Sequence, residues 1–378
     1  RIWGDALRRQ SRFEEALARY RLALDDLPHD DAAQGFAAGL VQRLVDVAAR
    51  VGPGAAADAQ LELGRAYGLA GSFEQALGAY SAAVRADRSA LPRAARGLEA
   101  LVAMAPSSLS LCLQLAELQI ALGDCDAALA ALEAARRQQP AERGAIVEGY
   151  RRLLAALEGQ GPDAALAADR PSVLAGTLYA LAEELAAAKP VEAAACLARV
   201  LAALGAAQAG RVLEHLSTLD LSAQPALGHL IAGDAHRARN EFAASLAAYR
   251  QVPLDAQTVD EVIVRLERLA EADAGRPDAL MTAATARLDS GALGAGIALL
   301  QRAFARDRVA TAPVIVTRLA ALRQVGSCPA AGLALLADAL LHLGQPEALA
   351  SGIAVARALL EAAPERATEV AAKAQALQ

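Results

Sequence analysis

The sequence predicts an all-α fold, an α-solenoid of stacked helical hairpins, from three observations. Hydrophobic residues make up 55% of the chain but aromatics only 3%, so the buried surface must be built from Ala, Leu and Val, which fill closely apposed helices better than sheets. Its 378 residues exceed the usual single-core domain, which leaves several globular domains or one long array. A pattern of small, aromatic, turn and Ala positions returns along the chain, which decides for the array.

Taken in order, SRFEEALARYRLALDDLP supplies the second half of a hairpin through Phe13, Ala16, Tyr20, Ala23 and Pro28. In LELGRAYGLAGSFEQALGAYSAAVRAD, Gly64 stands one turn before Tyr67, Gly71-Ser72-Phe73 forms the turn, and Ala76, Tyr80 and Ala83 share a face of the next helix. Small residues there let two helices approach while bulky ones fill between them. LAELQIALGDCDAALAALEAARRQQP repeats the pattern through Ala116, Gly123, Ala128, Ala135 and Pro140, and HLIAGDAHRARNEFAASLAAYRQV through Gly233, Phe242 and Tyr249. Weaker copies are TAATARLDSGALGAGIALLQRAFARD and LLADALLHLGQPEALASGIAVARALLEAAP.

These segments resemble the tetratricopeptide repeat family, whose small, aromatic, Gly and Ala positions they meet in order. The family's repeat is about 34 residues, whereas Gly71 to Gly123 is 52 residues, Asn240 to Gly291 is 51 and Gly291 to Gly344 is 53. A third, shorter helix per repeat accounts for the difference. It is read in PRAARGLEALVAMAP, VIVRLERLAEADAGRP and VIVTRLAALRQVGSCP, where Val262 and Val314 are again 52 apart. Such segments end near a proline (Pro53, Pro106, Pro277, Pro329), which stops a helix by removing a donor. Strict antiparallel stacking of three helices would reverse alternate repeats, so the third helix is expected to lie across the others.

The domain reading follows. Residues 1–143 hold N-terminal repeats with the first truncated, 144–208 hold a stretched central repeat with a hinge expected at EGQGPDAALAADRPS, and 209–378 hold C-terminal repeats ending in a capping helix, ATEVAAKAQALQ. The chain opens without Met inside a helical pattern, and a preceding segment is expected. The resemblance implies a right-handed superhelix and a concave groove lined by the first helix of each hairpin. Carried over residue by residue, it puts Arg65, Glu117, Asp234, Arg237, Met281 and Thr285 on that lining.

A formal net charge of −6 and a pI near 5.5 argue against nucleic acid as partner. Positive charge is nearly all arginine, since Lys189 and Lys373 are the only lysines, and Arg136-Arg137 and Arg151-Arg152 read as solvated helix faces. No apolar run is long enough to span a bilayer, and RIWGDALRRQ lacks the parts of a signal peptide. Cys112, Cys125, Cys196 and Cys328 lie in apolar helical stretches without CxxC spacing, which suits small core residues in a reducing compartment, so the cytoplasm is expected.

Chemistry is not expected within this chain. His229 and His236 share a helix face but lack ligand partners, so no metal or cofactor is implied. Gly291, Gly294 and Gly296 mark a repeat turn rather than a phosphate loop, since no strand precedes them. Ser217 beside His215 has no nucleophile-elbow context, and Glu14-Glu15 and Glu183-Glu184 read as exposed helix charge. The expectation is a non-catalytic scaffold or adaptor that holds a peptide or protein in the groove. The alternative is the sensor or regulatory arm of a larger signalling protein whose effector domain lies outside this chain.

Overall fold

A computed structural model describes residues 1–27, 31–159, 170–255, 258–273, 276–344 and 346–366, with three single positions beyond. The expected hinge segment and capping helix fall largely outside the described residues, as does Pro28. The described residues form helices and their connections with no strand, and the chain divides into two compact units, Arg1–Ala188 and Lys189–Gln378.

In the first unit the helices are α1 (Ile2–Arg9), α2 (Phe13–Asp25), α3 (Asp31–Ala48), α4 (Pro53–Leu69), α5 (Phe73–Ala86), α6 (Leu91–Met104), α7 (Leu109–Leu122), α8 (Cys125–Gln138), α9 (Arg143–Gly159) and α10 (Arg170–Leu185). The second unit contains α11 (Pro190–Leu204), α12 (Ala206–Ser217), α13 (Pro225–Ala238), α14 (Phe242–Arg250), α15 (Val259–Ala272), α16 (Asp278–Asp289), α17 (Leu293–Arg306), α18 (Arg308–Gln324), α19 (Ala330–Leu343) and α20 (Pro346–Ala362). The boundary between units lies within the 144–208 segment.

The hairpin turns share one backbone device. Ser11, Gly71, Gly123, Asn240 and Gly291 all have φ between 61° and 82°, a left-handed conformation that glycine and asparagine adopt most readily. The next residue then donates its N–H five residues back. Ser72 bonds the Tyr67 carbonyl at 2.8 Å, Asp124 the Gln119 carbonyl at 2.9 Å, and Ala292 the Arg287 carbonyl at 2.9 Å. Orphan carbonyls at the helix end are thus satisfied while the chain reverses. Side-chain caps fix two starts: Asp124 accepts from Ala127 N–H and Asp307 from Ala310 N–H, each at 3.0 Å.

Three of the hairpins, α1–α2, α4–α5 and α13–α14, close on a glycine–tyrosine contact. A methyl added at Gly64 would lie 3.0 Å from the Tyr80 ring, and one at Gly4 or Gly233 would lie 2.6 or 2.3 Å from the rings of Tyr20 or Tyr249. The glycine leaves the helix backbone bare so that the ring can lie on it. Tyr20 and Tyr249 are fully buried in this way, among Leu17, Leu40 and Leu44 in the first unit and Val262, Leu266 and Leu280 in the second.

The third helices are present as α3, α6, α9, α12, α15 and α18, and at 12 to 18 residues they match the hairpin helices in length where a shorter element was expected. Their apolar stripes bury Leu98 and Leu101 in α6, and Leu266 and Leu269 in α15, which takes four turns of helix. α18 starts before its proline because Asp307 caps it, and Pro313 lies inside the helix rather than ahead of it.

Besides sequential neighbours, helices two apart touch: α2 with α4, α4 with α6, α5 with α7 and α7 with α9 in the first unit, and α11 with α13, α13 with α15 and α17 with α19 in the second. Such contacts build two alternating layers within a unit. A three-helix repeat laid on a two-layer alternation puts equivalent helices of consecutive repeats in opposite layers, as with α4 and α7.

Candidate functional site

That alternation decides what the six groove candidates can do together. Arg65 on α4 and Glu117 on α7 occupy equivalent positions but opposite layers, so they do not share a lining. Glu117 receives the guanidinium of Arg152 from α9 and the Gln114 amide at 3.0 Å, so its charge is spent within the stack. Asp234 is likewise engaged. It accepts from the Tyr249 hydroxyl at 2.8 Å and from Arg265 Nε at 2.8 Å, with Arg237 Nη2 3.5 Å away. Burial and this carboxylate raise the Tyr249 phenol well above its ordinary value.

The same polar lock ties α1 to α2 and α3. Tyr20 donates to Asp5 at 2.7 Å and Arg43 Nε donates to the same carboxylate at 2.8 Å. Burial first, then the Asp5 hydrogen bond, pushes the Tyr20 phenol up to about 12. Burial raises the Asp5 carboxyl, but the Tyr20 and Arg43 donors outweigh it and its pKa is lowered. The acid one residue after the hairpin glycine is therefore a structural pin in these repeats, set by a guanidinium from the third helix.

Arg65, Met281 and Thr285 line cavities. In the second unit a cavity of about 380 Å³ opens between α14, α15, α16 and α18, walled by Met281, Thr285, Tyr249, Leu266 and Val314. Arg250 and Thr282 meet at its edge, 3.2 Å apart. In the first unit a cavity of about 700 Å³ lies between α2, α4 and α6, and Arg65 stands in it with Arg21, Arg93 and Arg96.

At the floor of the larger cavity is Glu62, a residue that sequence patterning passes over. It is 6% exposed, between Leu61 and Leu63 on α4. Arg21 Nε is 3.5 Å from its carboxylate, Arg93 Nη2 3.8 Å and Arg65 Nη1 4.0 Å, and Oε2 is buried without a hydrogen-bond partner among the described residues. Burial raises its pKa, and the three arginines only partly oppose that. Two of the arginines are held elsewhere as well, Arg65 by Asp25 and Arg93 by Asp58. The only signal for Glu62 in the sequence is a carboxylate between Leu61 and Leu63, with Ala59 and Ala66 one turn away on either side.

Among the histidines, His236 Nδ1 lies 2.7 Å from Glu241, a local pair across the turn rather than a ligand set. Among the described residues no cluster of three metal-ligating side chains occurs, and no helix is long and apolar enough to cross a membrane.

No protein-family model and no curated protein matches the chain. Solved structures resemble it at low identity. The TPR2AB-domain:pHSP90 complex of yeast Sti1 is 14% identical over 67% of this chain and 92% of that one, with a TM-score of 0.16. The Cut9–Hcn1 hetero-tetramer of the APC/C is 10% identical over 100% and 96%, with a TM-score of 0.21. The C-terminal part of a TPR repeat-containing protein from Cytophaga hutchinsonii is 12% identical over 68% and 98%, with a TM-score of 0.19. On its own residues, the chain is an array of tetratricopeptide-like helical hairpins interleaved with a third helix, most of the hairpins closed on a left-handed turn.

Proposed function

We propose that the chain is a non-catalytic protein-interaction scaffold whose partner, a protein or extended peptide, lies in the recesses between the helices of a unit. The observation that carries this reading is that each unit leaves such a recess open, one walled by Arg65 and its neighbouring arginines and the other by Met281 and Thr285. Recesses that combine apolar walls with a few placed polar groups suit side chains of a docked segment. The acids at the equivalent positions of other repeats, Asp5, Glu117 and Asp234, are engaged in pairs within the stack. Four free cysteines suit a reducing compartment, and the cytoplasm is the location proposed.

The test is capture by the purified chain from lysate of its own source, with retained proteins identified by mass spectrometry. Arg65→Glu and Thr285→Arg serve as variants, each checked for parental circular dichroism. A protein held by the parent and lost with either variant supports the proposal. Retention indifferent to both variants removes the recesses as the binding surface, and no retained protein removes the scaffold reading.

A further inference from the structure

The repeat built on Tyr80 and the one built on Tyr249 superimpose in sequence at a constant offset, since 249 − 80, 233 − 64 and 265 − 96 all equal 169. Gly64 answers to Gly233 and Arg96 to Arg265. In the second unit Arg265 is neutralised by Asp234, one residue beyond the hairpin glycine. In the first unit the arginine is kept and the acid is not, because the residue after Gly64 is Arg65. Arg96 donates Nε to the Pro92 carbonyl at 3.3 Å and has no carboxylate within ion-pair distance among the described residues.

Three further positions at the same offset differ in kind. Leu266, buried on α15, answers to Gly97 on α6; Val262 answers to Arg93; and the buried Ile231 answers to Glu62. The Tyr80 ring lies against the bare backbone of Gly97, and charged Arg93 and Glu62 stand where the second unit has apolar side chains. They line the cavity of about 700 Å³, within the size range of small-molecule sites. Its walls present four arginines, of which Arg21 lies beside Glu62, Arg65 is paired with Asp25 and Arg93 with Asp58, together with an apolar side formed by Leu27, Leu101 and Met104. A surplus of positive charge beside an apolar wall fits one negative group joined to a short hydrocarbon body. Arginine suits the negative group because its planar donors meet a carboxylate in pairs.

We propose that this cavity binds a small monocarboxylic acid with an apolar body, of the medium-chain fatty acid class, whose carboxylate takes the place of the acid missing opposite Arg96. The hydrocarbon body lies along Leu101 and Met104. The cavity is the first-unit recess of the scaffold reading, but the two tests separate, because here the ligand is a small acid and the readout is direct binding to the purified chain without any protein partner.

The experiment is titration calorimetry of the full chain with octanoate, 1-octanol and inorganic phosphate. Octanoate is expected to bind one per chain, with the alcohol and the phosphate weaker by roughly tenfold or more. Arg65→Asp restores the acid–arginine pair that the second unit uses, so the chain supplies its own carboxylate and octanoate affinity falls by roughly tenfold or more. Arg96→Gln, at an exposed position, is expected to bring the same loss and decides the matter if the first variant does not fold. Equal binding of octanoate and octanol, equal binding of phosphate, or parental affinity in a folded Arg96→Gln variant overturns the proposal.

Discussion

Replacing Gly233 by alanine tests whether bare helix backbone is what seats the hairpin tyrosine. The added methyl would stand 2.3 Å from Tyr249 Cε1 and 2.5 Å from Cδ1. Carbon contacts are comfortable only at about 3.5–4.0 Å, so the ring must retreat by about 1 Å. It has nowhere to go, since Tyr249 is 1% exposed and its hydroxyl is held by Asp234 at 2.8 Å. Overpacking costs about 1–3 kcal/mol and loss of a hydrogen bond to a charged acceptor about 1.5–3 kcal/mol, while alanine returns about 1 kcal/mol of helix propensity. The net expectation is a loss of about 2–4 kcal/mol, or roughly 4–16 °C in the melting of a unit of this size. Urea and thermal denaturation followed by circular dichroism would measure it. Gly78→Ala is the control, because a methyl there meets nothing within 4 Å and is expected to stabilise by about 0.5–1 kcal/mol. In a Tyr249→Ala background the clash disappears and Gly233→Ala should turn stabilising. A Gly233→Ala midpoint at or above the parent's, or an unchanged cost in that background, would refute the reasoning.

Three other outcomes are expected. Glu62 holds its proton more tightly folded than unfolded, where its pKa is near 4.5, so folding takes up a proton. The parent is therefore stabler below that pH and loses the increment as pH rises through the raised folded value. Glu62→Gln should lack this slope, and parallel pH–stability curves for the two proteins would contradict the assignment. Asp124→Ala removes the cap on Ala127 N–H and should cost about 1 kcal/mol in urea denaturation, and no shift in midpoint would remove the cap's role. Burial pushes the Cys112, Cys125 and Cys328 thiols up, and Cys328 alone of the three is partly exposed. Native alkylation followed by peptide mapping should be slow and should label Cys328 first, whereas early labelling of Cys112 would contradict its burial.

The turns and the glycine–tyrosine pairs were legible because their causes are local. Gly71, Gly123 and Gly291 announce a left-handed residue by side chain alone, and Gly64 and Gly233 stand a fixed sixteen residues before their tyrosines. The extra helix was legible from the 52-residue period and prolines, though not the length of α18, because a cap at Asp307 outweighs Pro313 inside the helix. The use of the polar positions was hidden. Asp234 and Glu117 look like exposed groove residues until Arg265 and Arg152 arrive from helices 31 and 35 residues downstream. Glu62 reads as surface charge until α2 and α6 close over it. Side-chain pairing across such separations is set by the stack, and nothing in either segment alone records it.

The alternation of layers also limits how an array of this kind can lengthen. Duplication or loss of a single three-helix repeat moves each later repeat in the unit to the other layer, so a side chain that met solvent on one side of the stack then meets it on the opposite side. A second duplication restores the original aspect. Within a unit the inherited step that keeps a surface in register is a pair of repeats, and a recess built from three helices of one layer draws on neighbours that are not sequence equivalents of each other.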